Sequence, residues 1–294
     1  MKILKEKLDK SVVTLGKFDC LHLGHKKLIN IAKEKSIELG VPLVAYTFSN
    51  VLKESVFSFD ERLKMFEEMG CDYVYVEEFN QEFMSLSPID FFKEKLIINL
   101  GALHIVSGSD WRFGKDRAGD VNVLNSFCKE YGTGLSVVEK LMLYDVEVSS
   151  TVIKEFFLQG DIQKANEYLG RRYYIKGTVS KGKKLGRSLG FPTANIILES
   201  DLIYPKDGVY ATKTLIGDRE YFSVTNIGTN PTVMDKTKRA ETHILDFCGD
   251  LYQEEIVVYF CDFIREEEKF QSIEHLKIQI DKDASYWKNQ KNIN

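Results

Sequence analysis

The 294-residue sequence lacks the features of membrane-embedded and of secreted proteins. No apolar run approaches the ~20 residues that cross a membrane, because charged residues or glycines interrupt the longest ones. The first ten residues contain no apolar centre and no small-residue cleavage site, so we expect no signal peptide. The five cysteines are odd in number, widely spaced and free of any C-x-x-C pair, which favours free thiols in a reducing compartment. We therefore expect a cytoplasmic protein with no membrane contact.

The sequence also lacks an excess of positive charge. Lys and Arg number 40 against 44 Asp and Glu, so the formal net charge is −4. A protein that coats nucleic acid normally needs a basic face, and we expect no nucleic-acid partner. Apolar residues make up 44% of the chain and charged residues 29%, which supports buried cores and excludes general disorder. At about 150 residues per domain, the length predicts two domains.

Short apolar runs alternate with helical stretches up to about residue 158. The predicted strands cover 12–15, 41–48, 104–107 and 135–139. The predicted helices begin near residues 24, 58, 88, 121 and 149. This alternation predicts an α/β domain with a doubly wound parallel sheet, in which ligands bind beyond the carboxyl ends of the strands.

The pattern changes after a short helix predicted over 161–169. Strand-like segments separated by turn residues then occur at 173–180, 208–216, 221–227, 240–247 and 255–261. They predict an all-β domain, a small antiparallel barrel or sandwich. Apolar residues at spacings of three and four from Phe270 to Trp287 predict a C-terminal helix. We expect one domain over 1–168 and another over 169–294, with the boundary between Gly160 and Arg172.

The first candidate site is the segment from Gly16 to His25, between the first predicted strand and the first predicted helix. The N-terminus of a helix favours anions. His22 and His25, with a glycine between them, could donate hydrogen bonds to a phosphate group. Two alternatives stay open: ordinary surface histidines, or a metal site shared with Cys20, for which no fourth ligand is evident.

Two further candidate site segments lie in this half, one after a predicted strand and one at the start of a predicted helix. The segment 108–115 contains Asp110 and Arg112 and directly follows a strand, where a nucleotide-binding loop would lie. A packed surface loop is the alternative. Ser149, Ser150 and Thr151 open a helix and are followed by Lys154, although three hydroxyls of this kind can also be a simple N-cap.

A glycine-rich basic segment opens the second half. Its spaced glycines and cations include Gly177, Lys181, Gly182, Gly186, Arg187 and Gly190. Such a loop can wrap a polyphosphate, although a solvated basic hairpin is the alternative. It is not a Walker loop, because no G-x-x-x-x-G-K-[ST] occurs. Beyond it, Thr193 and Asn195 would point the same way from an extended segment and offer oxygens to Mg²⁺.

The last candidate segment is the predicted strand at 239–245. Alternation places Glu241, His243 and Leu245 on one face. We expect this face to point into the barrel, where a carboxylate is costly unless it has a partner or a function. A half-solvated strand is the alternative.

Together these motifs resemble the bacterial bifunctional riboflavin kinase/FMN adenylyltransferases, or FAD synthetases, over nearly the whole chain. The matching runs are G-K-F-D-x-x-H-x-G-H, G-x-D-W-R-F-G, S-S-T-x-I-K, G-R-x-L-G-F-P-T-A-N, N-I-G-x-N-P-T and E-T-H-I-L-D-F. The resemblance implies a nucleotidyltransferase-like (Rossmann-like) first domain that transfers AMP from ATP to FMN and releases pyrophosphate. It implies a riboflavin kinase barrel as the second domain, Mg²⁺ as cofactor, and riboflavin, FMN, FAD and ATP as substrates or products. We expect only small-molecule partners and a monomer or weak homo-oligomer.

The resemblance also implies roles for individual residues. In the adenylyltransferase, ATP would contact Gly16, Phe18, Asp19, His22, His25, Asp110, Arg112, Ser150, Thr151 and Lys154. His22 and His25 would stabilise charge on the α-phosphate and pyrophosphate. In the kinase, ATP would contact Gly177, Lys181, Gly182, Gly186, Arg187, Gly190, Pro192, Thr193 and Asn195. Thr193 and Asn195 would ligate Mg²⁺, and Glu241 would be the general base. The flavin would contact Asn226, Gly228, Asn230, Thr232 and Arg265.

The chain departs from the family pattern in its first half only. Relatives more often carry N-F-D-G where this chain has Lys17 to Cys20, and a proline-rich T-F-x-P-H-P run where it reads T-F-S-N from Thr47. Arginines commonly frame the S-S-T element, but Glu147 and Lys154 stand in those places here. Lysine loses the bidentate fork of arginine, and Glu147 would repel phosphate if it faced the site. The alternative hypothesis is therefore a riboflavin kinase with a weakly active or regulatory first domain. A nucleic-acid-binding or tRNA-charging protein is a third hypothesis, which the acidic charge balance disfavours.

Overall fold

The fold comes from a computed structural model, which describes residues 1–49, 54–180, 191–229 and 237–290. The chain forms two compact units, Met1–Ser150 and Thr151–Asn294. The predicted domain boundary at 168/169 stays a prediction; the two compact units divide earlier, between Ser150 and Thr151.

The first unit alternates strands and helices. Its strands are β1 (Lys2–Ile3), β2 (Ser11–Leu15), β3 (Leu43–Phe48), β4 (Tyr73–Glu77), β5 (Ala102–Gly108), β6 (Gly134–Val138), β7 (Met142–Leu143) and β8 (Val146–Glu147). Its helices are α1 (Leu23–Leu39), α2 (Phe59–Glu68), α3 (Gln81–Ser85), α4 (Pro88–Asp90) and α5 (Val121–Tyr131), with a π-helical segment (Phe91–Asn99) that continues α4 and a 3₁₀ turn (Lys115–Arg117). The β7–β8 hairpin is antiparallel and separate from the main sheet.

The six main strands of this unit form one parallel sheet in the order β1-β4-β3-β2-β5-β6. The predicted doubly wound fold is confirmed. The chain runs outward from β2 toward β4 on one side and returns to β5 on the other, so the strand order reverses between β2 and β5. In open sheets of this kind, the crevice beyond the carboxyl ends of the two strands at the reversal is the usual ligand site.

Local sequence signals account for most element boundaries in this unit. Every residue of β2 and β3 is buried, which explains their nearly continuous apolar sequence. Ser58 accepts a hydrogen bond from Glu61 N at 3.3 Å and so caps α2 as predicted. Gly40 ends α1 with a φ of 64°, where a glycine carries no strain. Neither β1 nor β4 was predicted from the sequence, and β1 is a two-residue strand recognisable only by its pairing with β4.

The second unit begins with helices and continues as strands. The helix α6 (Ser150–Gln159) starts at the last residue of the first unit, and the helices α7 (Ile162–Leu169) and α8 (Ile273–Gln290) lie within the second. The strands are β9 (Tyr174–Thr178), β10 (Thr193–Ile197), β11 (Gly208–Ile216), β12 (Arg219–Thr229), β13 (Lys238–Ile244) and β14 (Glu255–Arg265).

These strands form an antiparallel sheet in the order β10-β13-β12-β11-β14-β9, and its two edges meet. Ser180 N, just past β9, donates to Asn195 O on β10 at 2.8 Å. A Cβ at Gly177 would lie 2.5 Å from Ile196 Cγ2, so only glycine lets the two edge strands approach this closely. The predicted small barrel is confirmed, and so is its C-terminal helix, whose Trp287 Nε1 donates to Thr212 O at 2.8 Å.

The barrel interior contains a chain of hydroxyl groups among its apolar side chains. Thr225 Oγ1 lies 2.8 Å from Thr212 Oγ1 and 2.9 Å from Thr242 Oγ1, and Ser223 continues the chain. All four residues are fully buried, and each hydroxyl finds its hydrogen-bond partner in another. The side chains that alternate with them therefore lie on the outer face of the barrel.

In the part of the chain that the structure describes, no helix is long and apolar enough to cross a membrane.

Candidate functional site

The histidine motif lies at the carboxyl end of β2, beside the point where the strand order of the parallel sheet reverses. His22 is the N-cap of α1, and its Nδ1 accepts a hydrogen bond from His25 N at 3.3 Å. The two imidazole rings stack with centroids 3.7 Å apart. A Cβ at Gly24 would lie 3.1 Å from the His22 ring, so the glycine provides the space for this stack. The first turn of α1 contains no acidic residue, which leaves its N-terminus attractive to an anion.

The hydrogen bond to His22 Nδ1 has a chemical consequence. A neutral imidazole has one donor and one acceptor nitrogen, and here Nδ1 is assigned as the acceptor. The proton of neutral His22 is therefore on Nε2, which becomes a hydrogen-bond donor. A donor at a helix N-terminus can stabilise negative charge on a phosphate oxygen.

Phe18 and Asp19, predicted as ATP-binding residues, are buried inside this loop. The Phe18 ring packs edge-on against His25, with centroids 5.0 Å apart, and it fills the space next to Gly16. Asp19 Oδ1 accepts hydrogen bonds from Ser55 Oγ at 2.7 Å and from Val56 N at 3.1 Å. The structure thus gives both residues a supporting role beneath the histidines, and direct contact with ATP stays a prediction.

The second predicted segment lies at the carboxyl end of β5. Asp110 folds back over the end of this strand, with Oδ1 3.2 Å from the position of a Cβ at Gly108. Its Oδ2 lies 3.3 Å from Lys140 Nζ. Arg112 instead pairs with Asp120, the N-cap of α5, at 3.2 Å on the surface.

Lys140, which the sequence did not mark as a site residue, pairs with Asp110 here. It also contacts Glu147, with Nζ 2.9 Å from each carboxylate oxygen. The hydrogen bond to Glu147 stabilises the charged form of Lys140. This bond is the main reason why the pKa of the lysine is raised above its ordinary value. A turn signal, Tyr144-Asp145 between two short apolar runs, was the only hint in the sequence that residues 140 and 147 would meet.

The segment that carries Glu147 runs along the histidine loop. A Cβ at Gly24 would lie 3.5 Å from Val148 O, and Cys20 Sγ lies 3.0 Å from Ser150 Oγ. The thiol is thus hydrogen-bonded to a serine of the S-S-T element. Among the residues described, there is no group of three or more His, Cys, Asp or Glu side chains that could hold a metal ion.

The S-S-T element itself spans the boundary between the two units. Ser150 belongs to the first unit, whereas Thr151 and Lys154 lie in the first turns of α6 in the second. Their predicted contacts with ATP stay predictions.

In the barrel, three predicted residues from three strands form a row. Asn195 on β10 is the register partner of Glu241 on β13, and Glu241 is the partner of Asn226 on β12. Directly opposite residues of antiparallel strands lie on the same face, with Cβ atoms typically about 4.5–5.5 Å apart. The fold thus brings the predicted metal ligand, the predicted base and a predicted flavin contact together.

The expectation that Glu241 faces into the barrel is wrong. The buried residues of β13 are Ala240, Thr242 and Ile244, whereas Glu241 and His243 are half-buried on the opposite face. Thr242 faces the interior because its hydroxyl bonds to Thr225 there. The alternation along β13 then places Glu241 and His243 on the outer face. The carboxylate is therefore half-buried on the outer face of the barrel and needs no partner inside it.

Thr193 and Asn195 lie on the same outer face as Glu241. Asn195 Nδ2 donates to Thr193 O at 3.2 Å and to its Oγ1 at 3.3 Å. The neighbouring Pro192 O lies 3.1 Å from His243 Nδ1. Thr193, Asn195 and Glu241 thus place a hydroxyl, a carboxamide and a carboxylate on one face. Such an oxygen-rich set suits Mg²⁺.

Two of the predicted flavin contacts lie under another side chain. Asn226 Nδ2 donates to Glu267 Oε1 at 2.8 Å, and a Cβ at Gly228 would overlap the same carboxylate. Arg265 uses its guanidinium for Asp283 on α8, with contacts of 2.9–3.1 Å. Its predicted contact with the flavin would have to leave that ion pair intact or replace it.

Several predicted residues lie outside the residues described. They are Lys181, Gly182, Gly186, Arg187 and Gly190 of the basic loop, and Asn230 and Thr232 of the N-I-G-x-N-P-T run.

Comparison with known proteins assigns a family to each half of the chain. Residues 4–152 match the family model described as FAD synthetase, and residues 169–291 match the one described as riboflavin kinase. A protein from Bacillus subtilis (strain 168) named bifunctional riboflavin kinase/FMN adenylyltransferase is 37% identical over 96% of this chain and 92% of its own. Proteins of the same name from Pseudomonas fluorescens and Escherichia coli (strain K12) are 35% and 34% identical, over 93% and 92% of this chain and 91% and 90% of theirs.

A solved structure has the same fold over almost the entire chain. It is titled a macrolide-efflux protein from Streptococcus pneumoniae and is 29% identical, with a TM-score of 0.88 over 98% of this chain and 99% of that chain.

Proposed function

Because the chain belongs to the family of bifunctional riboflavin kinase/FMN adenylyltransferases, we propose that it converts riboflavin to FMN and then FMN to FAD, each with ATP. Both family domains are present, and full-length relatives carry the bifunctional name. These matches favour two activities over the kinase-only hypothesis.

The adenylyl transfer would take place above the carboxyl ends of β2 and β5. The observation that supports this site most directly is the stacked pair of His22 and His25 at the N-terminus of α1. FMN phosphate would attack the α-phosphate of ATP, and pyrophosphate would leave. His22 Nε2–H and the helix N-terminus would stabilise the negative charge that moves onto the leaving oxygens, with Ser150 beside them.

The phosphorylation of riboflavin would take place on the outer face of the barrel. Glu241 would accept the proton of the ribityl 5′-hydroxyl as that oxygen attacks the γ-phosphate of ATP, a general-base effect of roughly 10²–10⁴-fold. Thr193 and Asn195 would hold Mg²⁺, which when bound neutralises charge on the ATP phosphates. The register Asn195–Glu241–Asn226 supports this assignment, because it places metal ligand, base and flavin contact side by side.

The cellular setting is part of the proposal. The substrates are small molecules, and the acidic composition and the free thiols fit a cytoplasmic enzyme without a nucleic-acid partner. A monomer or a weak homo-oligomer would suffice, since one chain supplies the candidate residues of both reactions.

The test is a pair of substitutions assayed for both reactions. The protein is incubated with riboflavin, ATP and Mg²⁺, and riboflavin, FMN and FAD are separated by chromatography. Glu241→Gln should lower FMN formation at least tenfold and leave FAD formation from supplied FMN unchanged. His22→Ala should do the reverse. If each substitution lowered both reactions equally, the two-site assignment would be wrong.

A further inference from the structure

Two carboxylates and one lysine form an ion cluster next to the histidine site, and no part of the proposed function uses the lysine. Lys140 Nζ lies 3.3 Å from Asp110 Oδ2 and 2.9 Å from the Glu147 carboxylate. Asp110 is 66% exposed, Lys140 41% and Glu147 38%. The cluster is therefore open to solvent and to a ligand.

The fold, not the local sequence, brings these three residues together. Asp110 follows β5, Lys140 follows the neighbouring β6, and Ser109 N donates to Val138 O at 3.0 Å to extend the pairing of these strands. The β7–β8 hairpin then turns the chain back so that Val148 N donates to Leu141 O at 2.8 Å. The hairpin thus returns Glu147 to the side of Lys140.

The cluster borders the histidine loop of the same unit. Val148, the residue after Glu147, places its carbonyl oxygen 3.5 Å from a Cβ position at Gly24, between the two histidines. On the other side, Lys27 Nζ in α1 lies 3.4 Å from Glu139 O, next to Lys140. Both ends of the hairpin therefore lie against the start of α1.

Charge decides what the lysine does there. Asp110 and Glu147 without a cation would present two negative charges to an incoming triphosphate, and they would also repel each other. Lys140 lies between them and neutralises one of the two charges. A raised pKa keeps its ammonium group charged throughout the neutral range.

We propose that Lys140 is a positioning residue of the adenylyl-transfer site, which holds Asp110 in place and offsets the repulsion between Glu147 and the ATP triphosphate. The inference rests on the proposed function of the first unit. In this inference Lys140 compensates for the negative charge of Glu147 at a phosphate site. The contribution of Lys140 to ATP binding therefore depends on the presence of Glu147.

The experiment measures FAD formation from supplied FMN as a function of ATP concentration in the wild type and three variants. Lys140→Ala should raise KM for ATP at least fivefold in low salt with a smaller change in kcat. The rise should shrink at high ionic strength, because solvent-exposed charges are screened. Adding Glu147→Gln to Lys140→Ala should restore most of the affinity. The matched control is Lys35→Ala, which removes a partly exposed lysine paired with Glu38 on α1 and should leave KM unchanged.

The outcomes separate this inference from the proposed function. An unchanged KM in Lys140→Ala, or a raised KM that Glu147→Gln does not restore, would overturn the role of Lys140. If the wild-type protein made no FAD, the proposed function of this unit would fail. ATP binding to the wild type and to Lys140→Ala would then be measured by titration calorimetry, and equal binding by the two proteins would overturn the inference as well.

Discussion

Substituting Gly24 with alanine should separate stability from catalysis in the first unit. A Cβ at this position would lie 3.1 Å from Cε1 and Nδ1 of His22, closer than an ordinary van der Waals contact. The His22 ring must therefore move by a few tenths of an ångström. That movement would disturb both its stack on His25 and its 3.3 Å hydrogen bond to His25 N.

The effect on stability should be small because two contributions oppose each other. Alanine is favoured over glycine in a helix by up to about 1 kcal/mol. Loss of the N-cap hydrogen bond costs about 1 kcal/mol. The net change in the free energy of unfolding should therefore be within about 1 kcal/mol of zero, and Gly24→Ala should fold normally.

The effect on catalysis should be large. Displacement of a catalytic group by a fraction of an ångström weakens the interactions that are aimed at the transition state, and a 1 Å displacement can cost about 10²-fold. We expect FAD formation from FMN to fall at least tenfold, which corresponds to about 1.4 kcal/mol. FMN formation from riboflavin should not change, since the barrel performs that step.

The assay follows both reactions in one preparation, together with urea unfolding by circular dichroism. Asn30→Ala is the matched control, because it makes a similar change in helix propensity at an exposed position of α1 away from the histidines. Wild-type FAD formation in Gly24→Ala would refute the argument that the stacked histidines are the catalytic arrangement. A fall in both reactions would indicate misfolding instead.

Three further predictions concern the metal site, the C-terminal helix and the thiols. Asn195→Ala should raise the Mg²⁺ concentration needed for FMN formation and leave FAD formation from supplied FMN untouched; an equal loss of both would contradict separate sites. Asp283→Ala should destabilise the second unit by about 3 kcal/mol in urea, because it leaves the guanidinium of Arg265 without its partner and Asp283 is only 3% exposed. Burial raises the pKa of the Cys71 thiol to about 12, so at pH 8 it is protonated and unreactive. Cys248 is exposed and should react with a thiol reagent in the native protein, whereas Cys71 should not, as peptide mapping would show. Rapid labelling of Cys71 would contradict its burial.

The site of the first unit was predictable as a set of segments but not as a geometry. The motif from Gly16 to His25 could be placed after a strand and before a helix, because both elements carry strong local signals. The sequence could not show that β5 lies next to β2, which makes Asp110 a neighbour of the histidine loop. Nor could it show Lys140, because its two partners lie 30 residues before it and seven after it along the chain.

In the barrel, too, the sequence predicted a segment but not its geometry. Alternation along β13 separated Glu241 and His243 from Thr242, but it could not tell which set pointed inward. Both sets contain polar residues, so the inside was decided by Thr225 on β12, whose hydroxyl bonds to Thr242 and is itself bonded to Thr212 on β11.

The sequence by itself determined the order of the elements, the two-domain division into α/β and all-β parts, and the family motifs. These depend on neighbours within a few residues: periodicity, caps and turn residues. The tertiary structure alone decided the strand order, the face of Glu241, the row from Asn195 to Asn226, and the ion cluster around Lys140. The reason is physical, since these features depend on which strands pair and in what register, and pairing is settled by burial and hydrogen bonding between residues far apart in the chain.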